Sequence, residues 1–229
     1  MKKIIYLAVL TASIFSTFAC AQEKKMESGD AMKKDGSMKM EAAKFVSVED
    51  AAKNALNVGA KMPAFTLNDS HGKPVNSKDL LKQGNLIVVF YRGAWCPFCN
   101  KYLHTLQQNL PAIKQNGGQL VAISVEPADR SMAIAKKNEL QFTVLSDPNL
   151  NVARSFNIVY QLPAETDEKY KGYGIDLVKY NSTEKPELPI SATYVINKKG
   201  EIVYAYVEPD YKKRAEPDAI IAALAAIKK

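Results

Sequence analysis

The 229-residue chain carries 31 Lys and Arg against 24 Asp and Glu, a formal charge of +7, and 47% of its residues are hydrophobic. That length is ample for one domain with a real core. The positive charge is spread along the chain with no basic block interleaved with aromatics, so no nucleic-acid partner is expected.

The chain opens with two lysines and the apolar run "IIYLAVLTASIF", too short to span a bilayer and of the length of a secretory h-region. "ACA" at Ala19 to Ala21 fits cleavage before Gln22, which makes residues 1–21 a signal peptide and the protein an exported one, periplasmic or cell-envelope. "STFAC" is also a loose lipobox that would leave a lipid anchor at Cys20, although Thr17 stands where such boxes favour Leu. A soluble exported protein is the preferred reading. Residues 22–44 mix charges with glycines and lack β-branched or aromatic residues, so they read as a flexible spacer. Met26, Met32, Met38 and Met40 lie within it; Met-rich tracts bind Cu(I), but no His or Cys accompanies these and lysines oppose a cation.

Residues 45–229 form the domain, and its pattern alternates strands with helices. "SVEDAAKNAL" begins with Ser47 three residues before Asp50, a capping-box-like helix start. "AFTLND" and "KPVNS" read as a hairpin. "NLIVVFY" (85–91) is too uniformly apolar for a half-exposed strand and fits a central strand covered on both faces; "QLVAISVE" and "FTVLSD" are further strands. Helical patterns follow in "SMAIAKKNEL" and "NLNVARSF". Residues 161–188 are a polar insertion without a clear period. "ATYVIN" and "EIVYAYV" form a hairpin with its turn around Gly200, and "EPDAIIAALAAIKK", with Pro217 in its first turn, is a docked C-terminal helix. The sum is an α/β sandwich around a mixed sheet.

The chemistry is concentrated in "YRGAWCPFCNK", residues 91–101. Pro97 suits the first turn of a helix, where a missing N–H costs nothing, and this places Cys96 at the helix N-terminus, where free N–H groups favour its thiolate. Arg92 is close enough in sequence to add to that effect. Cys96, Cys99, Leu103, Leu106, Leu110 and Ile113 recur at spacings of three and four, so both cysteines lie on the apolar stripe and Cys99 is the more shielded. Residues three apart on a helix bring Cβ atoms within about 5–6 Å, near enough for a disulfide to open and close locally. Lowering the Cys96 pKa from about 8.5 to about 7 raises thiolate roughly fifteenfold, of which lost nucleophilicity returns about fivefold. The larger benefit is a Cys96 that leaves readily when Cys99 attacks it.

Other uses of the pair fit less well. A tetrahedral metal site needs four ligands; the domain adds only His71, in a turn, and His104, about 140° around the helix from Cys99. No metal and no other cofactor is therefore expected. Haem attachment needs His where Asn100 stands. A static staple across so short a loop removes little chain entropy.

"PAFTLND", "VVFYRGAWCPFCNKYLHTLQ", "VAISVE", "FTVLSDPN" and "LPISATYVINKKGEIVYAYVEPDY", in this order from about Gly59 to Asp210, resemble the peroxiredoxin-like branch of the alkyl hydroperoxide reductase/thiol-specific antioxidant (AhpC/TSA) proteins. The resemblance implies a thioredoxin-like fold, here with an N-terminal β-hairpin extension. It also implies a peroxide substrate, Cys96 as the attacking thiol, Cys99 as its resolving partner and a thioredoxin-type protein reductant. The chain departs from the family where the Pro and Thr seven and three residues before the attacking Cys are Val89 and Gly93, and where "SAT" replaces the usual Arg before the final hairpin. Relative to thioredoxins, "WCPFC" agrees, Ser191 stands in the place of a cis-proline with Pro189 two residues earlier, and the apolar "IVVF" replaces a buried acid. Arg92, Trp95, Pro97 and Ser191 are the expected supporting residues. A thiol-disulfide oxidoreductase acting on protein disulfides is the alternative enzyme, and a Cu(I)-binding or redox-fold binding module the non-enzymatic one.

Overall fold

The structure, a computed structural model, describes residues 45–227; the signal-peptide, lipobox and spacer readings fall outside them. In chain order the elements are α1 (Val48–Asn54), β1 (Thr66–Asp69), β2 (Pro74–Asn76), α2 (Ser77–Gln83), β3 (Asn85–Tyr91), α3 (Pro97–Gln115), β4 (Gly118–Ser124), α4 (Ala128–Lys137), β5 (Thr143–Ser146), a 3-10 turn at Pro148–Leu150 and α5 (Asn151–Ser155). They continue with β6 (Val159–Gln161), α6 (Ala164–Gly172), α7 (Leu177–Asn181), β7 (Glu187–Pro189), β8 (Thr193–Ile196), β9 (Ile202–Tyr206) and α8 (Pro217–Ile227).

Seven strands form one mixed sheet in the order β2-β1-β5-β4-β3-β8-β9. β3, β4 and β5 run parallel, β8 is antiparallel to β3, and the β1–β2 hairpin joins the edge through β5. The apolar run of β3 is explained by its place near the centre. Leu86, Val88 and Phe90 face one core with Val121, Ile123, Phe156 and Tyr194, while Ile87, Val89 and Tyr91 face another with the stripe of α3 and with Ile220 and Leu224 of α8. Strand periodicity sends alternate residues to opposite faces, so a strand covered on both sides must be apolar throughout. The sulfurs of Cys96 and Cys99 belong to the second core.

Local signals act as read. Ser47 Oγ accepts the Asp50 N–H (3.0 Å), and Gly200 takes the φ of +77° that the β8–β9 turn requires. The polar insertion, by contrast, is not irregular: it contains α6 and α7, and its flanks pair as the two-stranded sheet β6–β7. α6 (AETDEKYKG) has no apolar stripe; Glu165–Lys169 (2.7 Å) and Asp167–Lys171 (2.9 Å) pairs one turn apart support it instead.

Buried Asp147, at the end of β5, accepts the Val152 N–H on Oδ1 (3.0 Å) and the Ala153 N–H on Oδ2 (2.9 Å), tying α5 to the sheet. Asp147→Ala leaves both donors unpaired, and each costs about 1–3 kcal/mol when buried. The expected result is a urea midpoint lowered at unchanged slope; a midpoint equal to that of the parent protein would contradict this role.

Candidate redox site

β3 delivers the chain to the loop 92–96, and α3 takes it away. Cys96 is the N-cap residue of α3 and Pro97 its first residue, exposed, as the sequence requires. The loop is pinned on three sides. Cys96 N–H donates to the Gly93 carbonyl (3.1 Å), Asn100 Nδ2 donates to the Ala94 carbonyl (2.8 Å), and Ala94 N–H donates to Glu126 Oε2 (2.5 Å). Gly93 has φ of +139°, and a Cβ there would lie 2.5 Å from Trp95 Nε1 and 3.0 Å from Glu126 Cδ. A side chain at 93 is thus excluded by conformation and by space.

Both cysteines are free thiols and both are buried, Cys96 at 1% and Cys99 at 0% exposure, with Cys99 the more deeply enclosed, as sequence periodicity suggested. Their electrostatics separate them further. The Cys99 thiol donates to the Cys96 sulfur and, against the cost of burial and together with the Cys99 backbone N–H, Arg92 and Arg214, brings the Cys96 pKa down to about 6. The Cys99 N–H belongs to the first turn of α3, whose oriented N–H dipoles favour the thiolate. Burial pushes the Cys99 thiol well up, as does the neighbouring Cys96, with Arg214 opposing. The pair therefore holds one proton, resident on Cys99, over a broad range around neutrality.

Arg92 is not a solvated charge. It is buried at 2% exposure and its guanidinium lies 4.1 Å from the Tyr211 ring centroid, 4.9 Å from Trp95 and 5.6 Å from Tyr170, while Nη2 donates to the Tyr170 hydroxyl. Three aromatic faces stabilise a desolvated cation next to the thiolate. Tyr170 comes from α6 and also meets Trp95 edge-on at 5.5 Å, so the insertion closes over the loop. Ser191 is buried between β7 and β8, with no hydrogen bond to its hydroxyl among the described residues.

Two residues of the site escaped sequence reading. Arg214, from the segment between β9 and α8, donates from Nη2 to Cys99 Sγ (3.4 Å) and is held by the carbonyls of Tyr211 and Lys213 (2.7 Å to the latter). It brings an arginine to the dithiol although "SAT" lacks one. Glu126, two residues past β4, is a buried acid beside the loop, although β3 itself carries none. No local pattern marks either residue, since each is brought in by the crossing of strands distant in sequence.

The AhpC/TSA family model matches residues 58–205. The chain belongs to the AhpC/TSA family. Among AhpC/TSA relatives, it is 30% identical over 139 residues to the chloroplastic peroxiredoxin Q of Sedum lineare, covering 59% of this chain and 74% of that one. It is 32% identical over 105 residues to the peroxiredoxin Bcp of Escherichia coli K12, covering 46% of this chain and 67% of that one. In solved structures the same fold occurs in the peroxidoxin BcpB of Mycobacterium tuberculosis, with a TM-score of 0.60 at 21% identity over 76% of this chain and 99% of that one. The AhpC/TSA chain described here is thus a peroxiredoxin-like protein of thioredoxin fold and an oxidoreductase.

Proposed function

We propose that the protein reduces hydrogen peroxide or an organic hydroperoxide through the Cys96–Cys99 pair and is returned to the dithiol by a thioredoxin-type reductant. The observation that carries this reading is a thiolate-poised Cys96 hydrogen-bonded by the proton-bearing thiol of Cys99, with both sulfurs excluded from the surface. A small oxidant reaches such sulfurs more readily than a folded disulfide protein does. The relatives named above are peroxiredoxins, which supports peroxide as the substrate.

The Cys96 thiolate attacks the terminal oxygen of the peroxide; the O–O bond breaks, the leaving oxygen takes up a proton as water or alcohol, and Cys96 becomes a sulfenic acid. Cys99 then attacks the Cys96 sulfur, hydroxide leaves and is protonated to water, and a Cys96–Cys99 disulfide forms. Two electrons from the reductant's dithiol reopen it through a mixed disulfide. Arg92, held by its aromatic box, and Arg214 keep positive charge on the dithiol throughout. Export by the N-terminal segment completes this reading.

One observation favours the second reading, a thiol-disulfide oxidoreductase: Val89 and Gly93 replace the residues with which peroxiredoxins cradle peroxide, while C-P-F-C is a dithiol of thioredoxin type. Turnover separates the two. With thioredoxin, thioredoxin reductase and NADPH, consumption of NADPH on adding peroxide supports the peroxidase; rapid insulin reduction without peroxide-dependent turnover would overturn it.

A further inference from the structure

Glu126 stands next to the redox loop and has no part in the chemistry above. Its backbone is fixed to the sheet: its N–H donates to Ser124 Oγ (3.1 Å) and its carbonyl accepts from Ser146 Oγ (2.5 Å). Its side chain is fully buried. One carboxylate oxygen takes the Ala94 N–H, two residues before Cys96, and the carboxyl carbon lies 3.0 Å from where a Cβ on Gly93 would stand. The other oxygen has no hydrogen bond among the described residues and lies 3.9 Å from Arg130 Nη1, whose guanidinium is stacked 3.8 Å over Tyr180.

We propose that Glu126 is a positioning residue of the redox loop: its carboxylate, anchored on β4 and β5, holds Gly93 to Trp95 and thereby keeps Cys96 against Cys99 and the first turn of α3. This rests on the reading of Cys96 as the attacking sulfur. A hydrogen bond from a backbone N–H to a carboxylate is roughly twice as strong as one to a neutral acceptor, so the hold depends on charge. The charged and titratable groups that face Glu126 are Asp129 and Arg130 from α4 and the Tyr91 phenol from β3. Burial raises the Glu126 pKa, with the Ala94 N–H and Arg130 opposing and Asp129 adding to it. The hold is accordingly complete above that raised value and is lost as pH falls through it.

Two measurements test this, neither of which needs peroxidase activity. Trp95 is the only tryptophan of the chain and adjoins Ala94. In Cys96→Ser protein, which removes the thiolate titration, Trp95 emission should change between pH 4 and 8 with a midpoint above that of an ordinary glutamate. The change should vanish when Glu126→Gln is added. A flat emission in Cys96→Ser, or an unaltered transition with Glu126→Gln, would overturn the proposal. In the second measurement, Glu126→Gln in the otherwise native dithiol is followed by thiolate absorbance. A group acting only through its negative charge would, on neutralisation, lower the Cys96 pKa; a positioning residue raises it. An upward displacement of one pH unit or more is expected, a tenfold loss of thiolate on the acid side, and a larger one for Glu126→Ala. An unchanged or lowered value would overturn positioning. Failure of peroxide turnover in the parent protein would sink the functional reading and leave both of these results standing.

Discussion

Cys96→Ser is expected to lower the rate of peroxide-driven oxidation by at least about a thousandfold, because the hydroxyl that replaces the thiolate is un-ionised and Cys99 cannot take over its role. Cys99 is the neighbouring thiol, but burial and the adjacent sulfur keep its proton on, so it is the wrong nucleophile at neutral pH. Cys99→Ser should behave differently. Its hydroxyl can still donate to the Cys96 sulfur, so the first attack survives, a sulfenic acid accumulates, and turnover with a thioredoxin-type reductant stops at one equivalent. Mass spectrometry after a peroxide pulse separates the two: a trappable sulfenic acid on Cys96 in Cys99→Ser, and no oxidation in Cys96→Ser. A sulfenic acid found on Cys99 instead would reverse the assignment.

Arg214→Met is expected to slow disulfide closure by about ten- to a hundredfold while leaving the first attack much less affected. Closure requires Cys99 to lose its proton, and Arg214 is the cation that donates to its sulfur and opposes the rise in its pKa. A hydrogen bond to a charged group contributes about 1.5–3 kcal/mol, which gives that range. Toward Cys96 the same arginine ranks behind the Cys99 thiol, the Cys99 N–H and Arg92. Methionine keeps most of the aliphatic packing beside Tyr102 while removing the charge. Two kinetic phases of Trp95 fluorescence, one for oxidation and one for closure, report the effects separately. If both phases slow equally, Arg214 acts on the loop as a whole and not on Cys99.

Much of this was legible in the chain. The uniform apolarity of 85–91 marks a strand buried on both faces, Pro97 marks the first residue of α3, and the three-four spacing from Cys96 to Ile113 marks the face that carries the sulfurs, because each depends on local geometry. The charge environment was not legible for the converse reason. Arg92 is desolvated by Trp95 beside it, Tyr170 from the insertion and Tyr211 past β9, and no window of sequence contains all three. Glu126 and Arg214 arrive by the same long-range crossings. α6 escaped detection because it is held by ion pairs and by Tyr170 at the site, not by an apolar stripe that a period would disclose.

The central claim is that Cys96, placed where β3 hands over to α3, is ionised near neutrality because of the Cys99 thiol and the surrounding charges, and that this ionised sulfur meets the peroxide. Stopped-flow mixing of the reduced protein with one equivalent of hydrogen peroxide from pH 4.5 to 9, followed by Trp95 fluorescence, tests it most directly. The account predicts a second-order rate that rises with a midpoint at about 6, the value to which Cys99 and the surrounding charges bring Cys96, and is already at its plateau by neutral pH. A midpoint above 8, or a plateau no faster than that of free cysteine, would contradict it.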